Sequence, residues 1–193
     1  MKVLGICGSH RRDGATLFFL KKALEACEKQ GMETEAIALF DKRIGHCVAC
    51  DRCRSGLDCS RNDDMQDIYL KLAKAGAIIV ASPVYFGMVS GRLKDFFDRT
   101  LPLRRNGMML SGKVGGAIAV GASRNGGQEM VCGQIHGWML LHEMIVVADK
   151  GTAHFGGTGW APRDSDPYDD ETGAATCENL GAKVCETLAR LKR

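Results

Sequence analysis

The sequence lacks the features that mark several common functional classes. No apolar run approaches the ~20 residues that span a bilayer, and no apolar leader with a small-residue cleavage site follows Met1. We therefore expect no membrane association and a cytoplasmic location. The formal net charge of +3 is too small and too mixed for a nucleic-acid surface, so no nucleic-acid partner is expected. No internal repeat, linker or low-complexity segment interrupts the chain, which predicts a single domain over residues 1–193.

Two nucleotide-binding motifs are also absent from the loop at residues 8–16, which reads GSHRRDGAT. It contains neither the dinucleotide fingerprint Gly-x-Gly-x-x-Gly nor the Gly-Lys-Ser/Thr of a P-loop. A loop between a strand and a helix still directs backbone N–H groups at a phosphate. Ser9 and Thr16 add hydroxyl groups, and Arg11 or Arg12 adds a charged donor. A mononucleotide phosphate therefore fits better than NAD or ATP; the alternative is a plain turn in which Thr16 caps the helix.

Hydrophobic patterning predicts five strands that alternate with helices. The predicted strands are residues 3–7, 33–39, 77–81, 113–121 and 144–148. Such alternation favours a doubly wound α/β fold with a parallel sheet. Asp63 and Asp64 begin a predicted helix, where negative charge suits the helix dipole. Residues 149–193 form a C-terminal extension and helix, and the pattern assigns no role to their glycine-rich part.

Two further loops follow predicted strands at the same edge of the sheet. Because ligands of open α/β sheets bind beyond the carboxyl ends of the strands, these loops and the first loop should meet there. Tyr85 and Phe86 offer flat apolar surface, although core packing is the alternative for them, and Gly126 and Gly127 allow close backbone approach. The convergence predicts FMN as a cofactor. The candidate FMN-binding residues are Ser9, Arg11, Arg12, Ala15, Thr16, Pro83, Val84, Tyr85, Phe86, Gly87, Ser123, Arg124, Gly126 and Gly127.

Four of the nine cysteines lie close together, in a loop at residues 41–62 that follows the second strand. Their spacing is Cys47-x2-Cys50-x2-Cys53-x5-Cys59. Cysteines at two-residue intervals are typical of iron–sulfur ligands, whereas zinc sites usually pair two such knuckles across a longer gap. The motif therefore predicts a [4Fe–4S] cluster whose four ligands come from one loop, with zinc or free thiols as the alternatives.

The same residues resemble known families over about residues 1–148. The pattern Gly8-Ser9…Thr16, then Ser82-Pro83-Val84-Tyr85 and Phe97-Asp98-Arg99, resembles the NADPH-dependent FMN reductases of the flavodoxin-like superfamily. The cysteine loop within such a chain resembles the archaeal and bacterial iron–sulfur flavoproteins. One departure is Ala15, where a polar residue, often Asn, would be expected.

This resemblance implies a flavodoxin-like fold with strand order 2-1-3-4-5, one FMN and one [4Fe–4S] cluster. It also implies a homo-oligomer (dimer or tetramer), electrons from ferredoxin or a similar one-electron donor, and reduction of a small-molecule acceptor such as oxygen or peroxide. We expect no catalytic acid or base, because the redox chemistry belongs to the cofactors. The alternatives are an NAD(P)H-dependent FMN or quinone reductase without a cluster, and a non-catalytic electron carrier or redox sensor.

Overall fold

The computed structural model describes residues 1–163 and 166–191. The strands are β1 (Lys2–Cys7), β2 (Glu33–Ala38), β3 (Ala77–Pro83), β4 (Val114–Gly121), β5 (Ile145–Val146) and β6 (Gly157–Trp160). The helices are α1 (Ala15–Glu28), α2 (Met65–Lys74), α3 (Gly91–Arg99), α4 (Leu101–Arg105), α5 (Gln128–Leu141) and α6 (Glu171–Arg190). Short 3-10 turns occupy Leu39–Asp41, Arg52–Ser55 and Pro167–Asp169.

The strands form one parallel sheet in the order β2-β1-β3-β4-β5. In β1, Val3 lies beside Thr34 of β2 and Ala77 of β3. The predicted parallel sheet and its strand order are therefore confirmed. The order reverses between β1 and β3, and the loops that follow these two strands lie at one edge of the sheet.

The number of strands differs from the prediction, because a sixth strand comes from the glycine-rich segment. Instead of a strand over residues 144–148, β5 contains two residues, and β6 pairs with β4 further along, where Gly157 lies beside Ile118. A Cβ atom at Gly159 would lie 2.6 Å from the Phe19 ring, so close packing against α1 needs glycine there. Since glycine is rare in strands, the sequence pattern did not indicate one. Residues 164–165 and 192–193 of the predicted extension and helix lie outside the described residues.

Helices cover both faces of the sheet and enclose two separate hydrophobic cores. Leu4 and Ile6 of β1 face α2, α3 and α5, whereas Val3 and Cys7 face α1 and α6. A Cβ atom at Gly181 would lie 2.2 Å from the carbonyl oxygen of Ala23, so glycine permits the close approach of α6 to α1. Within the described ranges, no helix is both long and apolar enough to cross a membrane.

Candidate cofactor sites

A cavity of about 450 Å³ opens at the carboxyl ends of β1, β3 and β4. It brings together the three loops that the sequence analysis singled out. The cavity is lined by Ser9, Arg11, Gly14, Ala15, Thr16, Pro83, Val84, Tyr85, Val120, Gly121, Ala122, Ala161 and Arg163. We call it the loop cavity.

The loop after β1 has the features of an anion site. The N-cap of α1 is Gly14, which makes no side-chain capping bond, and the first turn contains no acidic residue. Thr16 lies within the first turn and is buried, so it is not the helix cap. The Ser9 hydroxyl accepts a hydrogen bond from the backbone N–H of Arg11 at 3.0 Å, which holds this loop in a compact turn. The exposed N–H groups of a helix N-terminus and an adjacent arginine favour a phosphate.

Seven of the fourteen candidate FMN-binding residues line this cavity, namely Ser9, Arg11, Ala15, Thr16, Pro83, Val84 and Tyr85. The structure places Arg12 elsewhere, with its guanidinium 4.7 Å from the centre of the Phe40 ring. Arg124 lies over the Trp160 ring at 4.5 Å, in a neighbouring cavity that Gly127 also lines. Phe86, Gly87, Ser123 and Gly126 do not line the loop cavity either.

Residues 85–88 form a tight turn at the rim of the loop cavity. Tyr85 and Met88 exchange two backbone hydrogen bonds of 3.0 Å each. Phe86 and Gly87 between them both have positive φ values, +53° and +72°. This is the geometry of a two-residue hairpin turn, and glycine suits its second position. The turn directs the Phe86 ring fully into solvent, so the core-packing alternative for this residue is wrong.

Six of the lining residues were not among the candidates. Four of them adjoin the candidate loops, namely Gly14, Val120, Gly121 and Ala122. The other two are Ala161 and Arg163. They follow β6, whose carboxyl end lies at the same edge of the sheet as that of β4. The rule that places ligands beyond the carboxyl ends of strands would have indicated them if β6 had been predicted. The missing signal is therefore the strand itself.

A second cavity, of about 30 Å³, is lined by all four cysteines of the motif, and we call it the cysteine cavity. Cys47 and Cys50 are exposed, Cys53 and Cys59 are half-buried, and all four are free thiols. The remaining walls come from α2, α3 and α4, through Tyr69, Arg99, Leu101, Pro102 and Arg105 among others. In the described part of the chain, no three His, Cys, Asp or Glu side chains form a group that could hold a single metal ion.

Two of the four thiols have polar partners. The Sγ atom of Cys50 lies 3.0 Å from the Ser60 Oγ atom. The Ser60 hydroxyl has the largest effect on the pKa of the Cys50 thiol, and the backbone N–H of Arg52 has the next largest. Both lower this pKa and so favour the thiolate. Arg105 Nη1 donates to the Cys53 Sγ atom at 3.2 Å. Thiolates are the form that binds metal, so both contacts favour ligation.

A buried ion pair closes the neck of the cysteine loop. Arg99 is 2% exposed, and its guanidinium donates to both carboxylate oxygens of Asp63, at 2.6 and 2.8 Å. Gly45 at the other side of the neck donates its N–H to Asp63 at 3.0 Å and accepts from Arg99 at 2.7 Å. Arg43 and Asp64 exchange two further bonds across the neck. The loop is thus held at both ends to the last residue of α3.

Helix α3 connects the two cavities. Its N-cap Ser90 accepts from the backbone N–H of Leu93 at 3.1 Å and donates its hydroxyl to the Gly8 carbonyl at 2.6 Å, in the loop after β1. Arg99 at its other end lines the cysteine cavity. Nine residues of helix span roughly 14 Å. The helix therefore begins beside the loop cavity and ends at the cysteine cavity.

The residues around the cysteine cavity fit a group that accepts hydrogen bonds. The Nε atom of Arg99 is buried and has no acceptor among the described residues, although Arg99 lines this cavity. A buried N–H group without a partner is costly, so it indicates a missing acceptor. The four cysteines supply the thiolates that an iron–sulfur cluster requires, and its sulfides accept hydrogen bonds from the protein.

Comparison with known proteins assigns the chain to a family. Residues 1–156 match the model of the NADPH-dependent FMN reductases. The chain is also 48% identical to an iron–sulfur flavoprotein of Methanocaldococcus jannaschii, over the whole length of both proteins. The chain therefore belongs to the NADPH-dependent FMN reductase family, among the iron–sulfur flavoproteins, and the resemblance noted from the sequence is confirmed.

Two further similarities agree with this assignment. An iron–sulfur flavoprotein of Methanosarcina thermophila is 40% identical over the whole of this chain and 98% of its own. Among solved structures, the flavodoxin-class WrbA-like protein of Agrobacterium tumefaciens superposes with a TM-score of 0.69 at 17% identity, covering 98% of this chain and 97% of its own. The flavodoxin-like fold predicted from the sequence is thus confirmed.

Proposed function

We propose that this protein transfers electrons between a [4Fe–4S] cluster held by Cys47, Cys50, Cys53 and Cys59 and an FMN bound in the loop cavity. The observation that carries the proposal is the meeting of all four cysteines of the motif around one cavity. Its full-length relatives are named iron–sulfur flavoproteins, which supports the same conclusion. When bound, FMN supplies a ring that exchanges one or two electrons, and the cluster supplies one-electron exchange.

The residues of the chain bind and orient these groups. In the proposed FMN site, the N-terminus of α1 and Arg11 would hold the phosphate, and Pro83, Val84 and Tyr85 would contact the ring. In the proposed cluster site, the four thiolates would be the ligands, and the buried ion pair of Asp63 and Arg99 holds the neck of the cysteine loop. No side chain is required as a proton donor or acceptor, so no catalytic acid or base is assigned.

The proposed phosphate site includes Arg11 but not the adjacent Arg12. Since Arg11 lines the loop cavity and Arg12 packs on Phe40, Arg11→Ala should weaken FMN binding, whereas Arg12→Ala should not. The expected loss is about 1.5–3 kcal/mol, the range for a hydrogen bond to a charged group. Fluorescence titration of the apoprotein with FMN measures both variants. Equal FMN affinities for wild type and Arg11→Ala would show that Arg11 does not bind the phosphate.

We further propose that an acidic one-electron carrier of the ferredoxin type is the donor, that a small molecule such as oxygen or peroxide is the acceptor, and that the protein is a homo-oligomer. The cysteine loop, residues 41–62, carries five Lys and Arg against three Asp. Two of its ligands, Cys47 and Cys50, are exposed at this basic surface. Opposite charge would steer an acidic carrier to the exposed ligands.

The donor proposal has a direct test. Reduced ferredoxin should reduce the flavin at least tenfold faster than NADPH does under anaerobic conditions, and the rate should fall as salt screens the charges. The family description favours a second candidate, direct reduction by NADPH. Faster reduction by NADPH than by ferredoxin would select that candidate and reject the carrier.

A further inference from the structure

Helix α4 supplies the only guanidinium that donates to a ligand thiol in the described part of the chain. Arg105 is its last residue, and 28% of the Arg105 side chain is exposed. Its Nη1 atom lies 3.2 Å from Cys53 Sγ and 2.8 Å from Asp51 Oδ1. Asp51 thus holds the guanidinium in place beside the thiol. A charged donor fixed in this way makes a stronger hydrogen bond than a neutral one.

The next residue fixes the backbone of the same ligand. The Nδ2 atom of Asn106 lies 3.0 Å from the carbonyl oxygens of Cys53 and Gly56 and 2.8 Å from that of Pro102, so its two N–H groups are shared among three acceptors. Arg105 and Asn106 therefore act on different parts of Cys53. The asparagine positions the chain at Cys53, and the arginine places positive charge at its sulfur.

A charge at this position acts differently on the two oxidation states of a cluster. Thiolate ligands make the cluster anionic, and one-electron reduction adds a further negative charge. A hydrogen bond from Arg105 to Cys53 is therefore stronger in the reduced state, which raises the reduction potential. Cys50 receives a neutral partner, Ser60, and its contribution should be smaller.

We propose that Arg105 is a positioning residue that sets the reduction potential of the cluster through its hydrogen bond to Cys53. This inference rests on the proposed function, because it requires a cluster at the four cysteines. It goes beyond that function by assigning the potential to a named contact on α4. Electron transfer between cluster and flavin depends on this potential, so Arg105 would determine how readily the cluster accepts an electron.

The experiment compares Arg105→Gln and Arg105→Lys with wild type by redox titration of the cluster, followed by electron paramagnetic resonance. Arg105→Gln should lower the one-electron reduction equilibrium about tenfold, which is a fall in midpoint potential of about 59 mV. Arg105→Lys retains the charge without the planar fork. Its midpoint should lie between those of Arg105→Gln and wild type, and Ser60→Ala should shift the midpoint less than Arg105→Gln does.

Two controls distinguish this role from others. Arg104→Gln removes the same charge from α4. Among the described residues, however, Arg104 donates to the Leu141 carbonyl and the Met108 sulfur and to no cysteine. Arg104→Gln should therefore shift the midpoint potential by less than about a third of the shift that Arg105→Gln causes. Asn106→Ala removes the backbone support only. It should reduce the iron and sulfide content while the remaining clusters keep the wild-type midpoint.

Each outcome decides the matter. A wild-type midpoint in cluster-loaded Arg105→Gln, or an equal shift in Arg104→Gln, would overturn the proposal. Loss of the cluster in both Arg105 variants would also overturn it, because Arg105 would then serve only in folding of the loop. If wild-type protein itself contains no iron and sulfide, the proposed function fails, and the two failures are thereby distinguished.

Discussion

Replacing Cys50 or Cys53 by serine should abolish the intact [4Fe–4S] cluster while FMN stays bound. Serine oxygen is a poor substitute for the soft thiolate that iron–sulfur clusters require. The loop cavity contains no residue of the cysteine loop, so its occupancy should not change. Iron, sulfide and FMN analysis of anaerobically purified protein measures both effects. We expect fewer than about four iron per chain, through loss or conversion of the cluster, and a wild-type amount of FMN.

The matched control is the same substitution at Cys132, which lies buried on α5, outside the cysteine cavity. Cys132→Ser should retain the cluster. If cluster-free protein also lost its FMN, the two sites would depend on each other more closely than their separate linings indicate. Full cluster content in both Cys50→Ser and Cys53→Ser would instead exclude these residues as ligands.

The second large effect is expected at the neck of the cysteine loop. Asp63→Asn should lower the free energy of unfolding by about 3 kcal/mol or more, since it leaves the buried Arg99 without a countercharge. The side chains of Asp63 and Arg99 are 12% and 1% exposed, so little water replaces the lost interaction. Denaturant unfolding measures the change. The cluster content of the variant should also fall, because the pair closes the loop.

The control lies in the same loop. Asp58 pairs with Arg52, but these side chains are 61% and 59% exposed, so Asp58→Asn should cost less than about 1 kcal/mol. Equal losses in the two variants would contradict a special role for the buried pair.

The effect of Asp63 should depend on pH in a defined direction. Burial raises the pKa of Asp63, but the bonds from Arg99 and from the backbone N–H groups of Gly45 and Met65 lower it by more, so the pKa lies below its ordinary 3.8. The unfolded chain therefore binds the proton first as pH falls. The contribution of Asp63 is complete at neutral pH and is lost as pH falls through its pKa in the folded state. The difference between wild type and Asp63→Asn should shrink only below about pH 4.

Local patterns predicted the parts of the sites that are continuous in the sequence. The cysteine motif spans 13 residues, from Cys47 to Cys59, and its spacing alone places the four thiols in one loop. The loop after β1 was likewise recognisable, because a polar glycine-bearing turn between a strand and a helix is a local feature. Its two arginines could not be told apart, since their side chains are separated by packing of Arg12 on Phe40, 28 positions away in the sequence.

The contacts that support the cysteine loop could not be predicted in this way. Asp63 was interpreted from sequence as an acidic residue at a helix start, where it suits the helix dipole. In the structure it binds Arg99, 36 residues further along the chain. Arg99 belonged to the recognised family pattern, but no local signal indicated that it is buried. Long-range pairs of this kind depend on how α2 and α3 pack, which periodicity does not specify.

The iron and acid-labile sulfide content of wild-type protein purified without oxygen shows whether the cysteine loop holds a [4Fe–4S] cluster. We expect close to four iron and four sulfide per chain, together with one FMN, as a [4Fe–4S] cluster and a flavin require. Two observations support this result: the four thiols line one cavity, and the Nε atom of Arg99 has no acceptor among the residues that the structure describes. Stoichiometric zinc with no acid-labile sulfide would contradict it, and the chain would then be a zinc-containing flavin reductase.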